Sequence, residues 1–489
     1  MGKLASNYLF NVLYQFLVMA LPLISTPYVA RVLNPEGLGV SSYSTSVVQV
    51  FVFFSILGIQ VYGNRQIASI KHKGLIELSK EFWSIYSVQF LSSMLTVISY
   101  LLIINNFVEV NKKIFYIQSI VLIGSLLDIS WLFIGLEELK KIVLRNTVVK
   151  IVSLLLIFIC VKQPEDLYLY ILINVFGNLI GQVVMWLQVP KYIKLTSINT
   201  DKIKTHIKPI FSLFLPLLFV QIYSVYNKVL LGALVSNKDV GYYDQALKII
   251  QLTLAIVTSL TSVMLPRISS EFAKGNLDNV NYYVNNILRF VLFLTIPMCI
   301  GLISISPKLI PWFLGPGYSE VINLLMLMSP IIIFIGCANV FAMQILIPTH
   351  QQGKYTISVA IAGTLSLITN IILVKPFGNI GTGIAILVAE GVGAFIQALF
   401  VKNYFDFRLV ITYSYKYILS ASLVGGISFS IGELVNTGGI FITLTQIFVS
   451  IIVYLSILLL LKDDLILTLF GKVTKFVVDL KIKKFKSNI

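Results

Sequence analysis

Residues 440–461 read IFITLTQIFVSIIVYLSILLLL, twenty-two residues without one charge. A helix needs about twenty apolar residues to cross the hydrocarbon core of a bilayer, so this run reads as a transmembrane span. Moving outward from it, the same reading recurs near 7–30, 40–63, 82–104, 114–136, 143–161, 168–189, 209–235, 243–265, 286–305, 321–347, 355–374, 380–401 and 415–435. That makes fourteen spans. The fifth is short, and the tenth is long and interrupted by Pro330. The expected fold class is an all-α polytopic membrane protein. Composition agrees: 57% of the 489 residues are hydrophobic and 12% charged, with a mean hydropathy of +0.90. A soluble domain carries about 25% charged residues.

The net charge of +16 invites a nucleic-acid reading, which its placement argues against. With the N-terminus inside, 27 of the 37 Lys and Arg lie in or beside cytoplasmic loops. Seven lie outside: Arg31, Lys112, Lys113, Lys162, Lys238, Lys308 and Lys375. This is the positive-inside pattern, and it places both termini in the cytoplasm. The longest polar stretches, near 190–208 and 266–285, fall on that side, as do His72, His206 and His350, which read as solvated. The tail from Lys462 repeats Leu465, Leu469, Val473, Phe476 and Leu480 among lysines, the pattern of an amphipathic helix on an anionic leaflet. Cys160, Cys299 and Cys337 sit in apolar runs with no metal or disulfide spacing. Met1 to Ala30 lacks the basic start and cleavage site of a secretory signal, so it reads as an uncleaved first span.

Polar groups inside spans are expensive and therefore informative. Lys228 and Lys248 lie in the seventh and eighth spans, towards the outer side, where snorkelling to the interface is the plain alternative. Their neighbours argue for a wet face instead. Asp244, Lys248, Gln251, Ala255 and Ser259 share one side of the eighth helix, and Gln221, Ser224 and Lys228 one side of the seventh. Asn7, Asn11 and Gln15 do the same on the first. Arg31, Lys228 and Lys248 could hold a pyrophosphate through charge-assisted hydrogen bonds. Asn11, Gln15, Gln221, Gln251 and Tyr226 could meet sugar hydroxyls and rings. Asp128, Asp244 and Glu390 are the candidates for ion coupling. No Walker loop, H-E-x-x-H or zinc cluster is present, so no cofactor, metal or catalytic constellation is expected.

The chain also repeats weakly. Leu21-Pro22-Leu23 leads to Arg31, Gly39 and Tyr43; Leu215-Pro216-Leu217 leads to Lys228, Gly241, Tyr242 and Tyr243. The copies are six spans apart and parallel in topology, a plan many transporters share.

The stretch from Leu21 to Arg31, with Gly37, Gly39 and Tyr43 to Ser46, resembles the opening of the bacterial oligosaccharide flippases. These are the O-antigen and capsular repeat-unit transporters of the multidrug/oligosaccharidyl-lipid/polysaccharide exporter superfamily. Tyr62 to Arg65, Asp128 to Trp131, Arg145, Asn146 and Lys150 continue the likeness. Pro216, Lys228, Gly241 to Tyr243 and Met264 to Ser269 carry it through the second half. The resemblance implies an N-lobe over 1–205, a C-lobe over 206–405, each of six helices, and two further helices with a basic tail over 406–489. It also implies a central cationic cavity and alternating access. The cargo it implies is an undecaprenyl-pyrophosphate oligosaccharide, the partners a polymerase and glycosyltransferases of the same pathway, and the role transport, not catalysis. Asn227 departs from the family by standing where an Asp often precedes Lys228, and Leu33-Asn34-Pro35 replaces a more usual Leu-Gly step. A lipid II flippase and a multidrug/cation antiporter are the alternatives. The second should have an acidic cavity, and a polymerase or ligase would need a large outer loop.

Overall fold

The computed structural model describes residues 3–197, 200–262, 264–434 and 439–468. Within them every regular element is helical. Fourteen segments follow in chain order: α1 (3–33), α2 (35–70), α3 (Leu75–Phe107), α4 (Lys112–Gly135), α5 (Leu139–Cys160), α6 (Leu167–Trp186) and α7 (Thr200–Leu234). Then come α8 (Asn237–Ser262), α9 (Leu277–Phe313), α10 (319–346), α11 (352–377), α12 (379–400), α13 (Phe407–Leu434) and α14 (Ile440–Leu460). The fourteen expected spans are thus all present as helices.

Length and apolarity alone pick out nine described helices, or ten if Ser319–Met328 and Ile331–Leu346 form one span bent by 43°. Two of the nine are double. Ala20–Ile70 turns at Asn34, whose φ is 57°, and Gln352–Phe400 turns at Gly378, whose φ is 55°. Asn34 precedes Pro35, which disfavours the helical conformation in the residue before it, and Asn tolerates positive φ. In α7 the stretch Val225–Leu234 is picked out as a shorter apolar helix. In α10 the break falls at Pro330, which has no N–H to continue the ladder, and a π-helical turn follows over Val340–Leu346.

Several expectations change in detail. The second span runs on to Ile70 after a break at Leu57–Gly58, because Gly58 lies against the α7 backbone. An added Cβ there would come 2.5 Å from the Ile210 carbonyl oxygen. The polar stretches read as loops are partly helical: 200–208 is the first part of α7, and Leu265–Ala273 is a short helix. His206, read as a solvated loop residue, is a buried residue of α7. The tail beyond Thr468 lies outside the described residues.

The chain divides into two compact units. The first comprises Met1–Gln245, Leu314–Gly317 and Val359–Ile386; the second comprises Ala246–Phe313, Tyr318–Ser358 and Leu387–Ile489. In the first, the Trp131 indole stacks on Phe82, and Tyr86 and Trp186 close the same aromatic cluster. Gly63 admits the indole, since a Cβ there would come within 2.6 Å of it. Ser55, Ser93 and Ser125 tie α2, α3 and α4 together with two buried 2.7 Å hydrogen bonds, a polar seam suited to helices packed in lipid. In α5 and α6 only 6% and 17% of the apolar window is buried. Leu144, Leu155, Ile159 and Ile180 are more than half exposed on them, a surface that hydrocarbon tolerates better than water does.

In the second unit, α9 packs along α13 and α14 through Val284, Leu288, Val291, Tyr417 and Tyr454. Arg289 is nearly buried there. Its Nη2 donates to Asp463 at 2.9 Å, its Nε to the Tyr417 hydroxyl at 3.2 Å, and its guanidinium lies 4.0 Å from the Tyr413 ring centre. Asp463 in turn accepts from the backbone N–H of Leu465, so it also caps the helix that follows.

Candidate functional site

Lys228 does not stand alone in its helix. Its ammonium donates a very short hydrogen bond to Asp244 Oδ1 on α8, one helix onward. Both side chains are largely buried, at 19% and 6% exposure. The ion pair neutralises two charges that would each be costly in a bilayer, at least about 2.5 kcal/mol apiece at a helix centre. The acidic neighbour absent at position 227 is therefore supplied from α8, and two residues singled out separately in the sequence form one unit.

Asn227 instead faces a buried chain of amides and hydroxyls. Asn370 Nδ2 donates to Asn227 Oδ1 at 2.9 Å, Asn227 Nδ2 to Ser366 Oγ at 3.2 Å, and Thr382 Oγ1 to Asn370 Oδ1 at 3.0 Å. All four side chains are fully buried. The chain joins α7 to α11 and α12 and so fixes the helix that carries Lys228. Sequence reading missed it, although Ser366 and Asn370 stand one helical turn apart in an apolar span. A second bond joins the neighbouring turns: Asn379 Nδ2 donates to Asp239 Oδ1 at 2.7 Å.

Arg31 lies at the end of α1 with its stem against Gly315, where an added Cβ would meet Arg31 Cγ at 2.8 Å. The start of α2 and the start of α8 meet backbone to backbone. A Cβ on Gly39 would overlap the Asn237 carbonyl, and one on Gly241 would overlap the Pro35 carbonyl. Gly232 is pressed against the Tyr43 ring in the same way. The repeated glycines Gly39 and Gly241 are thus in direct contact, which gives that part of the weak repeat a packing reason.

The other expected site residues are distributed. Gln221 and Tyr226 are exposed on α7. Asn11 and Gln15 belong to α1, and their side chains lie outside the described residues. Lys248, Gln251 and Glu390 belong to the second unit, where Lys248 and Glu390 are half-buried and Gln251 is exposed. Asp128 is held locally. It accepts from Gln60 at 3.0 Å and from the Ser130 backbone and hydroxyl at 3.0 and 2.5 Å, capping the short helix that completes α4. Among the described residues no group of His, Cys, Asp and Glu could hold a metal.

What the site offers is a paired cation on a polar helix face, braced by a buried amide chain. Such a cation can exchange its carboxylate for a stronger anion. Residues 4–272 match the family model described as polysaccharide biosynthesis protein. The chain belongs to that family. Among the chain's relatives, the "Putative O-antigen transporter" of Escherichia coli (strain K12) is 24% identical over 401 residues, covering 80% of this chain and 96% of the relative. The fold is shared with the solved structure "Lipid II flippase MurJ, inward closed conformation", at a TM-score of 0.77, 20% identity, and coverage of 94% of this chain and 100% of that one. An inward-facing multidrug resistance MATE transporter of the MOP superfamily follows at a TM-score of 0.59 and 12% identity, covering 80% of this chain and 95% of that one. The protein is a multi-pass membrane protein that shares this fold.

Proposed function

We propose that the protein is a flippase that carries undecaprenyl-pyrophosphate-linked oligosaccharide repeat units from the inner to the outer leaflet for surface polysaccharide assembly. It is a transporter and not an enzyme, set in the cell membrane with both termini cytoplasmic. The observation that carries this reading is the Lys228–Asp244 pair, inside the membrane helices of a polysaccharide biosynthesis family member. A single carboxylate, Asp244, pairs with the ammonium here. A diphosphate brings more charge and more acceptor oxygens, so it displaces Asp244 and leaves that acid able to take up a proton.

Arg31 and Lys248 would add positive charge along the path, with Gln221, Gln251, Tyr226, Asn11 and Gln15 meeting the sugars. Two six-helix lobes, 1–205 and 206–405, would rock alternately around the headgroup while the lipid tail stays in the bilayer. Asp244 is the favoured coupling acid of the three considered; the bonds around Asp128 suit a structural cap, and Glu390 remains a candidate. A polymerase and glycosyltransferases of the same pathway would be its partners.

The test is reconstitution in proteoliposomes with a fluorescent polyprenyl-diphosphate oligosaccharide and an impermeant quencher. Lys228→Met should abolish translocation, and Lys228→Arg should retain part of it. Unchanged transport in Lys228→Met overturns the reading. Equal transport of lipid II in the same vesicles would favour the peptidoglycan-precursor alternative.

A further inference from the structure

The first unit contains a buried titratable cluster that the transport reading does not use. Three elements meet there: α2 through Tyr62 and Gln66, α3 through Glu77 and Glu81, and the start of α7 through Lys202 and His206. His206 and Glu81 are both buried, at 3% and 5% exposure. The Tyr62 hydroxyl and His206 Nδ1 are hydrogen-bonded at 2.7 Å. On the other side of the ring, Nε2 lies 3.4 Å from Glu81 Oε1 and, among the described residues, has no hydrogen bond. Glu81 Oε1 accepts instead from Gln66 at 2.7 Å. Lys202 reaches Glu81 at 3.6 Å and Glu77 at 3.2 Å.

We propose that Tyr62, His206 and Glu81 form a proton-binding latch, which fastens the first two turns of α7 to α2 and α3 while the imidazole is neutral and releases them on proton uptake. The groups facing the imidazole are Tyr62 from α2, Glu81 from α3 and Lys202 from α7 itself. In the neutral state Nδ1 can accept from the Tyr62 hydroxyl, and the ring adds no charge beside Lys202. A proton makes both ring nitrogens donors. Nδ1 then competes with the hydroxyl proton of Tyr62, and a positive charge is placed on a buried ring beside Lys202, a cost that Glu81 only partly offsets.

His206 precedes the apolar part of α7, which begins near residue 209. Burial there pushes the imidazole below its usual pKa; Glu81 opposes that shift and Lys202 adds to it. A group that holds its proton less well when docked than when exposed makes docking weaker as pH falls. The consequence reaches beyond the latch, because α7 is one continuous helix. Lys228 stands twenty-two residues further on, about 33 Å along the same rod. Releasing the foot of α7 would loosen the near end of the helix that carries Lys228, while the Asn227 amide chain still holds its far end.

Only three histidines are present, so the test is direct. In full-length protein in lipid nanodiscs, carbon-13 labelling of a chain carrying His72→Gln and His350→Gln reports His206 alone. Its titration midpoint should lie below those of His72 and His350, each measured in the matching single-histidine chain, and Glu81→Gln should lower it further. Amide exchange of 200–210, corrected for intrinsic rates, should accelerate from pH 7.5 to 5.5, with a limit of about tenfold for each unit separating docked and free midpoints. In His206→Gln that acceleration should vanish. A midpoint at or above the other histidines, or the same pH response in His206→Gln, overturns the latch. If Glu81→Gln does not accumulate, the titration of the single-histidine chain still decides. Neither readout uses the cargo, so the latch and the flippase reading fail separately.

Discussion

Lys228 stands within a membrane helix with Asp244 in reach of its ammonium. Removing one member of a buried pair leaves the other uncompensated, which costs about 3–5 kcal/mol, whereas replacing both with apolar groups is often neutral. Lys228→Met alone should therefore lower thermal stability sharply, and Lys228→Met with Asp244→Leu should recover most of it. Scanning fluorimetry in detergent checks both, independently of transport. Glycine contacts give a second residue-scale contrast. Gly39→Ala forces a methyl into the Asn237 carbonyl and should cost about 1–3 kcal/mol. Gly426→Ala, in helix α13 with open space around it, should stabilise by about 0.5–1 kcal/mol. The same melting assay reads the opposite signs.

At the scale of elements, breaks and clamps decide more than hydrophobic length. α4 is interrupted at 127–129, and Asp128 closes the gap by capping Ser130 and binding Gln60. Asp128→Ala should cost about 1–2 kcal/mol, as lost caps do, with a drop in melting temperature and faster amide exchange over 127–135. In the second unit Arg289 links α9 to α13 and to Asp463 beyond α14. Arg289→Gln would strand a fully buried carboxylate, so limited proteolysis should show earlier cleavage after α14 than in the unaltered protein. The start of α7 carries the same lesson. Its lysines and His206 look like a basic loop, yet Glu81 and Tyr62, far away in sequence, supply the burial and partners that make them helix.

For the whole molecule, the charge bias predicts which side each end faces. Cys160 is exposed at the end of α5, next to Lys162, which the charge bias predicts to face outward, while Cys299 is buried in α9. An impermeant maleimide added to intact cells should label Cys160 and spare Cys299; labelling of Cys160 only after lysis would reverse the topology. The number of helices, their order and the bend at Pro330 were legible because lipid imposes one length and one polarity on every span. The site was legible in part. Polar residues inside apolar runs mark themselves, and that singled out Lys228 and Asp244 as separate residues. Their pairing was not visible, nor was the chain of Asn227, Ser366, Asn370 and Thr382. Such partners lie tens or hundreds of residues apart, and hydropathy has no term for which helix packs beside which. Sequence by itself determined how often this chain crosses the bilayer and which groups pay to be there. Tertiary packing alone decided which of those groups neutralise one another, because hydrogen bonds and ion pairs depend on ångström distances between helices.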